Sequence, residues 1–327
     1  MSDPREGGAG VVARPEADQP APAPPGWRDG LLLVDKEPGG TSHDVVQRVR
    51  KTLRQKRVGH CGTLDPDATG LLVLTVGRAT RLTRFLIRAP KVYTGEIRFG
   101  VATDTYDASG EVVATQPSAG LTDEAVAAAM SRFLGTFAQT PPPYSAKKVK
   151  GVRYYELARR GEEVPESSKE VTIFEFAPTG PLREDLLPFR LECSSGTYVR
   201  SLAHDLGQAL GCGAHLASLR RLQVGPFRVE EALTLSGLAE AIDQGQAEAG
   251  AWVPFDRIPL PFGEAVADAQ QERRILYGQT VLLRELAAEE GDWVKLLNRR
   301  RQFIAVGSVV ERIGASVGVV QPRIVFR

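Results

Sequence analysis

Gly59-His60-Cys61-Gly62-Thr63-Leu64-Asp65-Pro66-Asp67-Ala68-Thr69-Gly70 places three glycines, a proline, a histidine and two aspartates in twelve residues. Glycine and proline at that density mark a loop with demanding backbone geometry. Asp65 directly precedes Pro66, which biases its backbone toward extended conformations. The flanks of the loop decide the architecture. After it, Leu71-Leu72-Val73-Leu74-Thr75-Val76 reads as a buried strand. Before it, Val45, Val46, Val49 and Leu53 recur at helical spacing behind Thr41 or Ser42. Either of those can cap the helix, and Asp44 in its first turn complements the dipole. Further upstream, Gly30-Leu31-Leu32-Leu33-Val34 is a second apolar strand, ended by the turn Asp35-Lys36-Glu37-Pro38-Gly39-Gly40. A loop between a helix and a buried strand displays its side chains at the end of a sheet. An Asp-Pro pair alone more often closes an ordinary Asx turn, so this loop assigns no chemistry by itself.

The helix before the loop is basic. Arg48, Arg50, Lys51, Arg54, Lys56 and Arg57 put six cations into ten residues with no acid among them. A second basic helix is predicted from about Ala79 to Arg88, with Arg81, Arg84 and Arg88 on one face and Leu82, Phe85 and Leu86 on the other. These runs read either as solvated faces or as phosphate-contacting surfaces. Residues 91–101 alternate as a strand with Tyr93, Ile97 and Phe99 in step. Further strands are expected near 171–176 and 187–193, and a helix from about Thr197 to Leu210, stopped at Gly211. Residues 121–165 differ in character. A helix from Asp123 to about Leu134 leads to Pro141-Pro142-Pro143-Tyr144-Ser145-Ala146-Lys147-Lys148 and then Gly151-Val152-Arg153-Tyr154-Tyr155. Cations with tyrosines suit RNA phosphates and unstacked bases, so this region reads as an RNA-gripping insertion. From about Pro261, short strand-like runs at 281–283, 293–297 and 303–307 predict a small β-rich domain.

The chain has 327 residues, 42% of them hydrophobic and 25% charged, a globular composition. No apolar run approaches the length of a membrane span. Residues 1–26 hold six prolines, five alanines and four glycines and no aromatic, which predicts a disordered tail to about residue 27 and no secretory leader. Forty-one basic residues oppose 40 acidic ones, so any nucleic-acid binding must come from a local basic face. Cys61, Cys193 and Cys212 show no paired spacing, so neither a disulfide framework nor a zinc site is expected, and a reducing cytoplasm is the simplest compartment.

The loop resembles the catalytic loop of the TruB family of tRNA pseudouridine synthases, G-H-x-G-x-L-D-P-x-A-T-G. Three other blocks match in order. Asp35 to Val46 resembles the family's D-K-P-x-G-x-T-S-x-D segment, with Glu37 at the usual proline and Pro38 one place later. Pro143 to Lys148, with Gly151 and Tyr155, resembles its P-x-Y-S-A-x-K insertion. Gly196-Thr197-Tyr198-Val199-Arg200, Gly211 to His215 and Leu219-Arg220-Arg221-Leu222 resemble a third block. The resemblance covers about residues 28–260. It implies an α+β fold: a catalytic domain with a mixed or antiparallel sheet flanked by helices, followed over 261–327 by a small β-rich PUA-like RNA-binding domain.

The implied reaction turns uridine 55 of the tRNA T arm into pseudouridine after the base is flipped from its stack. It requires no cofactor and no metal, in agreement with a sequence that lacks a phosphate-cradling G-x-x-x-x-G-K-[ST] run. The implied partner is the tRNA T stem-loop, with no membrane and no obligatory protein partner, for a cytoplasmic monomer. The resemblance makes Asp65 the essential carboxylate, as nucleophile or as base, and Arg200 its ionic partner. Tyr93 is implied as the stacking residue and a candidate in removing the C5 proton. Tyr198 and Leu219 are implied to line the uracil pocket, and His60 to fill the space the extruded base leaves. Lys36 and Lys148 join them as substrate-binding residues, and Arg299-Arg300-Arg301 as a further phosphate contact. Asp67, two residues from Asp65, would raise its pKa if both face the site. Two other readings stand beside this one: a guide-RNA-dependent relative acting on ribosomal RNA, and a non-catalytic RNA chaperone. A glycosidase using Asp65 and Asp67 fits poorly, because adjacent loop acids rarely straddle a sugar.

Overall fold

A computed structural model describes residues 27–144, 148–149, 152–153, 168–245, 250–314 and 316–326, with 148, 149, 152 and 153 described by backbone alone. The expected tail and most of the cationic insertion, including the side chains of Lys148 and Arg153, lie outside the described residues.

Among the described residues, ten strands form one mixed sheet. Its path runs Trp252–Pro254, Gly30–Lys36, Thr69–Val76, Ala214–Val224, Lys91–Phe99, Leu186–Cys193, Lys169–Pro178 and Gly135–Gln139. Val58–His60 pairs with Thr69–Val76, and Phe227–Arg228 pairs with Ala214–Val224. All the pairings are antiparallel except the central one, where Arg220 and Arg221 lie parallel to Thr69 and Gly70. That junction sets the end of the Gly59–Gly70 loop directly beside the 219–222 segment. Gly70 is required there: at φ +97° a Cβ would come within 2.3 Å of the Arg221 carbonyl.

The apolar strand Gly30–Lys36 and its neighbour Thr69–Val76 are buried almost throughout, as their uninterrupted Leu and Val runs require. The first helix, Ser42–Thr52, is capped by Thr41, whose hydroxyl accepts from the Asp44 amide while the Asp44 carboxylate accepts from the Thr41 amide. Val45, Val46 and Val49 bury against the sheet, leaving Arg48 and Lys51 exposed. The helix Val199–Ala209 packs against Ala214–Val224 and ends where Gly211 takes φ +73°. The helix Asp123–Ser131 leads into Gly135–Gln139, an edge strand of the main sheet, so residues 123–139 belong to the layer built on that sheet.

The expected basic helix over 79–88 takes a different form. Gly77–Leu82 is a 3₁₀ segment and Thr83–Leu86 a single α-turn. Two of its three expected cations face the C-terminal domain. Arg81 donates to the Val325 carbonyl at 2.6 Å and lies over the Phe326 ring, while Arg84 lies over Phe85 and Trp293 at 4.6 and 4.7 Å. That domain is a five-stranded sheet in the order Glu264–Ala267, Trp293–Asn298, Phe303–Ile313, Val317–Val325 and Val281–Arg284, with the helix Ala269–Leu276 against it. Two of its strands, 264–267 and 317–325, and its helix carry too few consecutive apolar residues to stand out in the sequence. Phe255, Phe303 and Phe326 pack across the junction with centroids 4.8 to 5.0 Å apart, one pair stacked and two edge to face, joining the two domains through one apolar seam.

Candidate active site

The two sequence blocks around Asp65 prove to be a single structural unit. Segment 36–42 anchors the residues on either side of the aspartate. Ser42 donates its hydroxyl to the Leu64 carbonyl (3.1 Å) and accepts from the Leu64 amide (2.8 Å). The Gly39 amide donates to the Pro66 carbonyl. Lys36, only 1% exposed, donates from Nζ to the carbonyls of Pro66 (2.7 Å), Ala68 (2.8 Å) and Glu37 (3.0 Å). An ammonium has three protons, and all three are thereby used. Lys36 was expected at the substrate; the structure instead makes it the pin that holds the loop.

Asp65 so presented meets Arg200, the second residue of the helix Val199–Ala209. Arg200 Nε lies 3.0 Å from Asp65 Oδ2, and Nη2 donates to Oδ1 at 3.3 Å. The remaining guanidinium protons are also placed. Nη1 donates to the Thr105 carbonyl (3.2 Å) and to Asp107 Oδ2 (3.1 Å), and Nη2 to the Tyr144 carbonyl (3.2 Å). Five contacts match the five donors of the planar fork, a geometry that lysine cannot reproduce. Asp107 is itself fixed, accepting on Oδ1 from Thr105 Oγ1 and from the amide and hydroxyl of Ser109. The arginine side chain is 10% exposed and the Asp65 side chain 44%. The cation is thus sealed behind the carboxylate, whose open side faces the cleft.

Burial pushes the Asp65 carboxyl above the ordinary carboxylate range. Arg200 pulls it down, Asp107 adds to the rise, and Lys36 opposes it. The like charge acting on Asp65 is Asp107, therefore, and not Asp67 as the spacing suggested. Asp67 acts instead on Lys36, whose pKa burial lowers and Asp67 and Asp65 raise.

The cleft in front of Asp65 has a volume of about 980 Å³, and Tyr93, Tyr198, Arg200 and Leu219 all line it. Tyr93 is 8% exposed; burial raises its pKa, and the Arg221 guanidinium, a hydrogen-bond partner, opposes that rise. Arg221, fully buried, donates to the Leu71, Thr63 and Gly62 carbonyls and so ties the loop to the central strands. Lys91 enters the same wall. Burial first, and Arg221 second, bring its pKa down to about 8, while its ammonium donates to the Ile87 and Ala89 carbonyls. His60 stands on the short strand Val58–His60, outside the lining of the cleft, with Nδ1 buried and unpartnered among the described residues. Asp65, Arg200, Tyr93, Tyr198 and Leu219 are thus brought together; Lys36 holds the loop from behind, and His60 stands outside the cleft lining. Asp107, Arg221 and Lys91 were not singled out in the sequence. The polar turn Asp104 to Gly110 was the available signal for Asp107; Arg221 was quoted only as part of a block.

Comparison with known proteins identifies relatives of the chain. A family model described as "TruB family pseudouridylate synthase (N terminal domain)" matches residues 50–199, and "tRNA pseudouridylate synthase B C-terminal domain" matches 200–267. A protein of Solibacter usitatus named tRNA pseudouridine synthase B is 42% identical over 283 residues, covering 86% of this chain and 96% of that one. One of the same name from Opitutus terrae is 50% identical over 213 residues, 64% of this chain and 87% of its own. Among solved structures, a Cbf5-Nop10-Gar1 complex aligns with a TM-score of 0.68 at 25% identity, over 91% of this chain and 85% of that one. With a relative 42% identical over 86% of this chain and family models matching residues 50–267, the chain belongs to the TruB family of pseudouridylate synthases.

Proposed function

We propose that this enzyme isomerises uridine 55 in the T arm of tRNA to pseudouridine, with Asp65 as the essential group, working as a stand-alone cytoplasmic monomer. The observation that carries the reading is the Asp65–Arg200 pair, a carboxylate opened to a cleft and backed by a sealed, fully satisfied guanidinium. The reaction breaks the N1–C1′ bond, turns the uracil and joins C5 to C1′; a proton leaves C5 and another reaches N1. It needs an ionised carboxylate at the sugar, as nucleophile or as base toward C2′, and Arg200 keeps Asp65 ionised against the burial that would neutralise it. Tyr93, whose phenol pKa burial raises, stacks on the flipped base while Tyr198 and Leu219 close the pocket. Flipping costs a few kcal/mol, which phosphate contacts from the exposed helix cations Arg48 and Lys51 and from Lys148 and Arg299–Arg301 offset. The tRNA reading rests on relatives near 40–50% identity that bear the name tRNA pseudouridine synthase B.

The test is incubation of the purified protein with an unmodified tRNA transcript, followed by pseudouridine mapping. One new pseudouridine at position 55 is expected, absent with Asp65→Asn. Modification elsewhere, or none, overturns the assignment.

A further inference from the structure

The helix that carries Arg200 makes a second contact with the turn that holds it. Arg200 grips residues 105 and 107 through the single nitrogen Nη1. Tyr106, between them, is gripped by a different residue of the same helix. Its ring stacks on His204 with centroids 3.8 Å apart and planes inclined by 11°. His204 follows Arg200 by four positions, one helical turn, so both side chains leave the same face. Three successive residues of the turn are therefore read by one helix face. On the opposite side the turn is pinned to the strand Ala214–Val224: the Leu216 amide donates to the Tyr106 carbonyl (3.0 Å) and the Ala108 amide to the Leu216 carbonyl (3.1 Å).

Two features show that this arrangement is held rather than idle. Tyr106 sits at φ +66°, the left-handed region that a residue with a Cβ adopts only when its surroundings impose it. His204 keeps Nδ1 buried with no hydrogen-bond partner among the described residues, so ring stacking and not hydrogen bonding at that atom places the imidazole.

We propose that Tyr106 and His204 are positioning residues for the catalytic pair. Their stack fixes the distance between the helix and the 105–107 turn, and that distance sets the plane of the Arg200 guanidinium against Asp65. Without the stack, Thr105 and Asp107 draw back from Nη1, the fork rotates, and its two-point contact with Asp65 opens. This rests on Asp65 being the catalytic carboxylate, as proposed above.

The experiment measures single-turnover pseudouridine formation, tRNA Kd and thermal melting for Tyr106→Gly, Tyr106→Phe, His204→Ala, His204→Phe and Asp65→Asn. Glycine accepts φ +66° freely, so Tyr106→Gly removes the ring while relieving the backbone, and it remains informative if an alanine variant misfolds. The variants without a ring should melt as cooperative folded proteins and bind tRNA within about twofold of wild type. Their single-turnover rate should fall about ten- to a hundredfold, the scale of a misplaced catalytic group. Both phenylalanine variants, which keep a ring for stacking, should recover most of the rate. A folded Tyr106→Gly with the wild-type rate, or phenylalanine variants as slow as those without a ring, overturns the positioning role. An active Asp65→Asn overturns the site reading instead, so the two failures are distinguishable.

Discussion

Replacing Asp65 by Asn distinguishes a catalytic carboxylate from a structural ion pair, because the two roles predict opposite effects on stability. Arg200 has five contacts, and three of them, to Thr105, Asp107 and Tyr144, do not involve Asp65. An asparagine oxygen can accept a fourth, and Asp107 still balances the charge. Against this loss stands a penalty that the wild type carries. The Asp65 carboxyl titrates above its ordinary range despite Arg200, so desolvation outweighs the ion pair. A carboxyl with a raised folded pKa favours the folded state when protonated. That contribution is complete below the unfolded value and is lost as pH rises through the folded pKa. At neutral pH the wild type therefore carries a charged, partly desolvated Asp65, and Asn removes that charge. The expected outcome is a turnover loss of at least ~10⁴ with a melting temperature at pH 7.5 that holds or rises. The wild type should regain any deficit as the pH is lowered through the raised pKa. Single-turnover assays on unmodified tRNA and paired thermal melts across pH measure both quantities. A fall in Tm beyond ~4 °C, roughly 2–3 kcal/mol for a chain this long, would show that Asp65 serves the fold, and retained turnover would refute its catalytic role.

Arg200→Leu should move the acid limb of the rate profile to higher pH, since the cation that lowers the Asp65 pKa is gone, and Arg200→Lys should be impaired because one ammonium cannot span both carboxylates. Asp107→Asn should move the same limb to lower pH, because its charge raises the Asp65 pKa, while slowing the reaction; a shift upward would refute the electrostatic account. Lys36→Met takes the ammonium from three carbonyls, of which Pro66 keeps the Gly39 amide and Glu37 and Ala68 lose their donor, and should cost roughly 2–4 kcal/mol in denaturant unfolding, with a loosened loop and reduced activity. Arg300→Ala should flatten the salt dependence of tRNA affinity by roughly 0.7 to 0.9 in log–log slope, whereas Arg84→Ala should lower the melting temperature and leave that slope unchanged.

The contrast between Arg300 and Arg84 shows where a sequence is readable and where it is not. The cap at Thr41, the apolar face Val45–Val49 and the strand after Gly70 were legible because each is decided by neighbours within a few positions. The pairing of Asp65 with Arg200, 135 residues away, became legible only through the resemblance of their blocks, since no local pattern encodes it. Charge runs are the opposite case. A sequence shows that Arg81 and Arg84 are cations but not what they lie on, and here each guanidinium lies over a ring, Phe326 and Trp293, more than 200 positions on. Lys36 was misplaced for the same reason: its partners are backbone carbonyls, which every residue possesses and no residue advertises. Asp67 makes the point most sharply. It is two positions from Asp65, yet the like charge that acts on Asp65 is Asp107, carried in by Arg200 on a turn 42 residues further along. Proximity along the chain fixes backbone geometry, but the electrostatics of a site are set by which elements share one guanidinium. Single-residue pKa arguments from spacing should therefore be reserved for groups whose common partner is known.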